Sequence, residues 1–141
     1  MDIRPLTDSY SVTPQILPED VPAIAAAGFT TVICNRPDSE VPAEIRAEAM
    51  RPIIEGAGMA FVVNPVVPGA LSQENVDCQR EAIDSARGKV LAYCASGNRS
   101  SIVWALANAG RRPTDELVAA GAQYGYQTEQ FRGLIDRLAQ G

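Results

Sequence analysis

The chain contains no histidine. That absence excludes a Cys–His dyad, a Ser–His–Asp triad and any His-ligated metal site. Cysteine is scarce too. Cys34, Cys78 and Cys94 lack metal-ligand spacing, and an odd count spread over 141 residues does not read as a secreted disulfide framework. No apolar run is long enough to span a bilayer, and "MDIRPLTDSY" is not a basic apolar leader, so a soluble cytoplasmic protein is expected. Positive charge is in deficit. Twelve Lys and Arg against seventeen Asp and Glu give a net charge of −5, which opposes approach to nucleic acid or anionic lipid. Neither a nucleic acid nor a membrane is expected as a partner, and no cofactor or metal is expected.

What is present reads as one α/β domain over residues 1–141. At 46% hydrophobic and 21% charged residues the composition is ordinary for a globular chain. "FTTVICNR" (Phe29–Arg36), "MAFVVNPV" (Met59–Val66) and "KVLAYC" (Lys89–Cys94) are short and β-rich, and read as strands. "SYSVTPQ" is a weaker strand, placed at an edge because of Pro14. Helical patterns lie between and after them: "LPEDVPAIAAAG", "VPAEIRAEAMRPIIEGAG" with a kink or break at Pro52, and "SQENVDCQREAIDSARG" with Ser72 as N-cap and Gly88 as C-cap. Three more follow at Ser100–Ala109, Thr114–Tyr124 and Thr128–Gln140, with Thr114 and Thr128 as N-caps. The alternation predicts a three-layer α/β/α sandwich around a mostly parallel sheet of four to five strands.

The chemistry concentrates in "CASGNRS". Cys94 closes a strand, where open α/β sheets bind ligands. Ala95, Ser96, Gly97, Asn98 and Ser100 offer main-chain amides to an anion at a helix N-terminus. Gly97 permits a left-handed turn, and Arg99 offers a fork of parallel donors for a tetrahedral anion. Thiols at helix N-termini beside cations favour the thiolate. Cys94 is therefore the expected nucleophile, with Arg99 as its anion-binding partner. Arg36 and Asn64, at the ends of neighbouring strands, are expected to line the pocket, and Asp38 is the candidate general acid. Cys34 and Cys78 read as core or near-core residues, Trp104 as core filler, "QYGYQ" as a cap and packing cluster, and the acids over Glu40–Glu55 as a solvated helix face.

Three segments in order, "SYSVTPQILPEDVPAIAAAGFTTVICNRPDSE", "FVVNPVVPG" and "VLAYCASGNRSSIVWALA", resemble the beta-lactamase-hydrolase-like phosphatase-like family, a bacterial relative of dual-specificity phosphatases. The resemblance implies a cysteine-phosphatase-like fold. Because some relatives are joined to persulfide-oxidising metallo-hydrolase domains, it also implies a persulfide-oxidising enzyme as partner. The loop alone is similar to that of rhodanese sulfurtransferases.

Two departures from the dual-specificity pattern favour sulfur chemistry. Four residues rather than five separate Cys94 from Arg99, and "NPVVPGALSQEN" holds no aspartate where that family places its general acid. Sulfur transfer needs no acid, because a low-pKa thiolate or sulfite departs unaided. The favoured reading is a sulfurtransferase acting on thiosulfate or a persulfide through a Cys94 persulfide. The alternative is a phosphomonoester hydrolase working through a phosphoryl-thiol. A third reading is a non-catalytic anion- or phosphopeptide-binding module.

Overall fold

Central to the molecule is Lys89–Tyr93 (β5), which leads directly into Cys94. A computed structural model describes all residues 1–141. Around β5 the sheet contains Arg4–Pro5 (β1), Tyr10–Thr13 (β2), Phe29–Cys34 (β3) and Ala60–Val63 (β4), in the order β1-β2-β5-β3-β4. All pairings are parallel except β1 with β2. Cys34 lies beside Tyr93 in the ladder, so the carboxyl ends of β3 and β5 open on the same side.

Side chains alternate across the sheet with the period of two that a strand imposes. Val90 and Ala92 face a core shared with Gln73–Ser85 (α3), Asn98–Ala107 (α4), Thr114–Ala122 (α5) and Arg132–Gln140 (α6). Leu91 and Tyr93 face the opposite core, built with Val21–Ala26 (α1) and Ala47–Gly56 (α2). The expected three-layer sandwich is thus present, with both faces of β5 buried. Trp104 is core, stacked on Tyr10 with ring centroids 5.8 Å apart. Cys34 is buried and Cys78 half-buried.

Several local expectations change. Tyr10–Thr13 is an interior strand, buried throughout, and the edge belongs to Arg4–Pro5. Pro14 falls just past the strand, where its missing N–H costs the ladder nothing. Residues 38–45 form two 3-10 turns before α2, and Pro52 sits inside α2 without breaking it. That proline is exposed, so the carbonyl it leaves unpaired one turn back can meet water.

Ser72 is the N-cap of α3, exchanging hydrogen bonds with Asn75. Gly88 is not its C-cap, since α3 ends at Ser85; Gly88 instead lets the chain pass Thr30, which a Cβ there would meet at 2.9 Å. Pro113 and Gln127 occupy the cap positions expected for Thr114 and Thr128. Thr114 donates instead to Asp136 Oδ1 at 2.6 Å, tying α5 to α6. Thr128 is buried and opens a 3-10 turn before α6. No helix is long and apolar enough to cross a membrane.

Candidate active site

The loop from Cys94 to Arg99 turns the chain from β5 into α4. Gly97 is the N-cap of α4 at φ 96°, ψ −11°, a left-handed conformation that side-chain-bearing residues resist. A Cβ there would also lie 2.3 Å from the Tyr126 hydroxyl. Two constraints therefore require glycine. The turn directs the Gly97 N–H to Cys94 Sγ at 3.1 Å, a hydrogen bond that strengthens when the sulfur carries negative charge. The first helical bond runs from Ser101 N–H to Gly97 O, so the amides of Arg99 and Ser100 precede the helical ladder and have no acceptor within it. The positive end of α4 and these amides give the loop its affinity for an anion. The Ser100 hydroxyl is buried beside them without a partner.

Arg99 is gripped from outside the loop. Its Nη1 and Nη2 donate to Glu40 Oε2 and Oε1, both at 2.8 Å, and Nη1 also donates to the Val66 carbonyl at 2.8 Å. Glu40 accepts from Arg36 Nε as well, at 3.2 Å. The Arg99 pair, then burial and Arg36, act on Glu40 with a net effect that holds its carboxyl below the usual range. Arg99 is raised in turn, first by Glu40, with Cys94 beside it contributing less. Glu40 occupies the end of the guanidinium, and the Nε–Nη2 edge carries no further carboxylate or carbonyl acceptor and lies beside Cys94.

A buried polar network braces the loop from behind. Gln79 of α3 has no exposed surface. Its Oε1 accepts from Asn35 and Asn64, and its Nε2 donates to Asn35 Oδ1 and to the Tyr10 hydroxyl. Tyr10 then donates to the Ser100 carbonyl at 3.0 Å. From the front, the Tyr126 hydroxyl donates to the Ser96 carbonyl at 2.9 Å and accepts from Arg4, while the Gln127 N–H donates to Asn98 Oδ1 at 2.9 Å. Burial pushes the Tyr126 phenol up, partly offset by Arg4. The "QYGYQ" segment is therefore a packing cluster, and what it packs is the loop itself.

A cavity of about 310 Å³ opens over the loop. Ser96, Asn98 and Arg99 contribute to its lining, with Val66–Gly69 and Leu71 from one segment and Gln127, Gln130 and Phe131 from another. Cys94 has no exposed surface in this arrangement. Arg36 and Asn64, expected in the pocket, do not line it. Arg36 spans Glu40 and Gln15, and Asn64 is bound to Gln79 and Asn75. Asp38, the candidate acid, accepts the Ala47 N–H at 2.9 Å and so caps α2. No cluster of three His, Cys, Asp or Glu side chains is placed to hold a metal ion.

Sequence reasoning missed Glu40, Tyr126 and Gln79. Glu40 sits in a polar run that reads as a solvated face, and its partner is 59 residues away. Gln79 left a usable signal, since it falls on the buried stripe of α3 between Val76 and Ala82, where an amide demands partners.

Residues 2–111, a span that includes the whole Cys94–Arg99 loop, match the family described as beta-lactamase hydrolase-like protein, phosphatase-like domain. The chain belongs to that family. Its short loop therefore lies inside a phosphatase-like family, and the four-residue spacing does not by itself argue for sulfur chemistry. This phosphatase-like domain is 27% identical over 141 residues to the beta-lactamase hydrolase-like protein of Xylella fastidiosa strain 9a5c, covering 99% of this chain and 33% of that protein. It thus spans about a third of the length of that curated relative. A Neisseria meningitidis Z2491 protein provisionally assigned as a phosphatase superposes with a TM-score of 0.82 at 32% identity, over 98% of this chain and 99% of that one. A Shewanella putrefaciens CN-32 protein with the same provisional assignment gives 0.76 at 20% identity, over 98% and 91%. These comparisons support the phosphatase alternative better than the sulfurtransferase reading.

Proposed function

We propose that this phosphatase-like domain hydrolyses phosphomonoesters through Cys94. The observation that carries the reading is the arrangement of Arg99. Glu40 fixes the end of the guanidinium at the cavity, and its remaining edge, beside Cys94, can bind two oxygens of a phosphoryl group. Pseudomonas aeruginosa TpbA, a fold neighbour at 12% identity with a TM-score of 0.69, was solved in complex with pTyr, which supports a phosphate monoester at such a cradle.

In this reading the Cys94 thiolate attacks phosphorus. The S–P bond forms as the P–O bond to the leaving group breaks, and the electron pair stays on the leaving oxygen. Water then attacks the phosphoryl-thiol, the S–P bond breaks, and the thiolate and inorganic phosphate are released. Water supplies the proton that the departed oxygen finally carries. Arg99 and the amides at the start of α4 offset the charge on the phosphoryl oxygens. Cys94 has no exposed surface, so attack by its sulfur requires the covering loop to shift.

One observation favours the rival, sulfur transfer through a Cys94 persulfide: no carboxylic acid lines the cavity. Parallel assays separate the two. Turnover of p-nitrophenyl phosphate, lost in Cys94→Ser, with no sulfur transfer from thiosulfate to cyanide, is expected. Thiosulfate turnover without ester hydrolysis overturns the reading.

A further inference from the structure

The sheet has a second end, away from Cys94. A cavity of about 450 Å³ opens there, lined by Thr30, Thr31, Gly58, Ala60, Ser85 and Arg87. Thr30 and Thr31 lie near the start of β3 and Ala60 starts β4, whereas Cys34 ends β3 beside Tyr93 and the Cys94 loop. The extended chain from Thr31 to Cys34 covers about 10 Å. This cavity shares no lining residue with the one over the loop.

Packing leaves the space open. Gly58 has φ 90°, and a Cβ there would meet nothing within 4 Å. The pairing of β3 with β5 slips between Phe29 and Thr31, a bulge of the kind that re-aims a side chain. Thr31 is only 4% exposed, yet it lines the cavity and its hydroxyl joins no hydrogen bond within the protein. A buried hydroxyl in that state carries a desolvation cost until a molecule in the cavity meets it.

Arg87 supplies charge. Most arginines of this acidic chain are paired with carboxylates. Arg87 is exposed, its side chain has no ion pair or hydrogen bond, and it is the only charged residue of the lining. Its fork of donors is available to an oxyanion. Two other lining groups offer the opposite chemistry. Ser85 Oγ gives its hydrogen to Glu81 at 3.0 Å, and Thr30 Oγ1 gives its own to the Lys89 carbonyl at 3.4 Å. Both therefore face a ligand as acceptors, matched to hydroxyl groups. Glu81 and the carbonyl end of α3 add negative charge close by, which limits the site to a single oxyanion.

We propose that this cavity is a second binding site, for a small polyol that carries one oxyanion. Arg87 grips the oxyanion, Ser85 and Thr30 accept from the hydroxyls, and Thr31 gains its missing partner. A polyol phosphate and a hydroxy acid share this chemistry.

Glycerol phosphate and glycerate are the probes, titrated into the isotope-labelled Cys94→Ser chain, which cannot turn the ester over through Cys94. Amide shifts of Thr31, Gly58 and Arg87 should saturate with at least one of them, and the better of the two identifies the oxyanion. Glycerol or inorganic phosphate alone should bind there about tenfold more weakly or worse. Arg87→Gln should weaken binding by about 10- to 100-fold, as loss of a charged hydrogen-bond partner does, and Thr31→Val by about 2- to 10-fold. Shifts confined to the Cys94 loop, or an affinity that Arg87→Gln leaves unchanged, overturn the site. Inorganic phosphate bound there as tightly as glycerol phosphate overturns the ligand class and leaves an adventitious ion only. Neither result bears on the phosphomonoesterase reading, which is tested at Cys94.

Discussion

Arg99 and Glu40 form a two-point ion pair, Nη1 to Oε2 and Nη2 to Oε1, both at 2.8 Å, between the start of α4 and a 3-10 turn 59 residues earlier. Glu40 thereby acts as a positioning residue. It takes the end of the fork, and the edge is left for an oxyanion. Glu40→Gln keeps the shape but gives up one acceptor and the charge. The expected result is a loss of about 10- to 100-fold in kcat/KM, the range seen when the residue that orients a site ligand is removed. The pH dependence of stability should change as well. Glu40 is lowered in the folded state, so the pair's contribution is present above the unfolded carboxyl value of about 4.3 and is lost as pH falls through the lower folded value. Acid unfolding monitored by circular dichroism should show a shallower loss of stability below that pH in the variant than in the parent.

Gly97→Ala should abolish turnover. The substitution places a Cβ 2.3 Å from the Tyr126 hydroxyl at a φ of 96°, a backbone cost of roughly 1–2 kcal/mol before the clash is counted. Tyr126→Phe removes the clash partner but also the hydrogen bond to Ser96 O, a loss of about 1 kcal/mol. The double variant should recover part of the stability of Gly97→Ala in thermal melts. Equal melting temperatures for the single and double variants would contradict this account of the loop.

Asp38 distinguishes a cap from an acid. Asp38→Ala should cost about 1 kcal/mol of stability by freeing the Ala47 N–H. Its kcat for p-nitrophenyl phosphate should stay within twofold of the parent. A fall of 100-fold with loss of a limb of the pH–rate profile would restore Asp38 as the proton donor.

Gln79→Leu should be the most destabilising of these changes. It strips partners from Asn35 and Asn64 and an interaction from Tyr10, all buried, while leaving an apolar residue of similar volume. Unsatisfied buried groups cost about 1–3 kcal/mol each before relaxation, so a loss of about 3 kcal/mol, or roughly 10 °C in Tm, is expected. Because the network ends on the Ser100 carbonyl, activity measured well below the melting temperature should fall too.

The architecture was legible because local signals agreed with the global answer. β3, β4 and β5 are short β-rich runs bounded by Gly, Pro or turn residues, and Ser72 announces α3 by its own side chain. Residues of the loop were legible as well, since Cys94, Gly97 and Arg99 fall within six consecutive residues and their chemistry is local. What was hidden depends on distance. Nothing near Glu40 tells that Arg99 will meet it, and Tyr126 reaches Ser96 only once α4 and the segment before α6 have packed. Arg36 and Asn64 do sit at the carboxyl ends of strands as expected, yet their side chains turn to protein partners there. A strand end places a residue near a site, while the hydrogen-bond partners around it decide where the side chain goes.

The central claim is that Cys94 becomes phosphorylated during turnover. Intact mass spectrometry of the protein, quenched in acid within the first turnover of p-nitrophenyl phosphate, tests it most directly. A gain of one phosphoryl group, mapped to Cys94 and absent from Cys94→Ser, is the predicted result. Nitrophenol release with no phosphorylated protein at any time point, or a chain that gains a sulfur atom from thiosulfate but never a phosphoryl group from the ester, would contradict it.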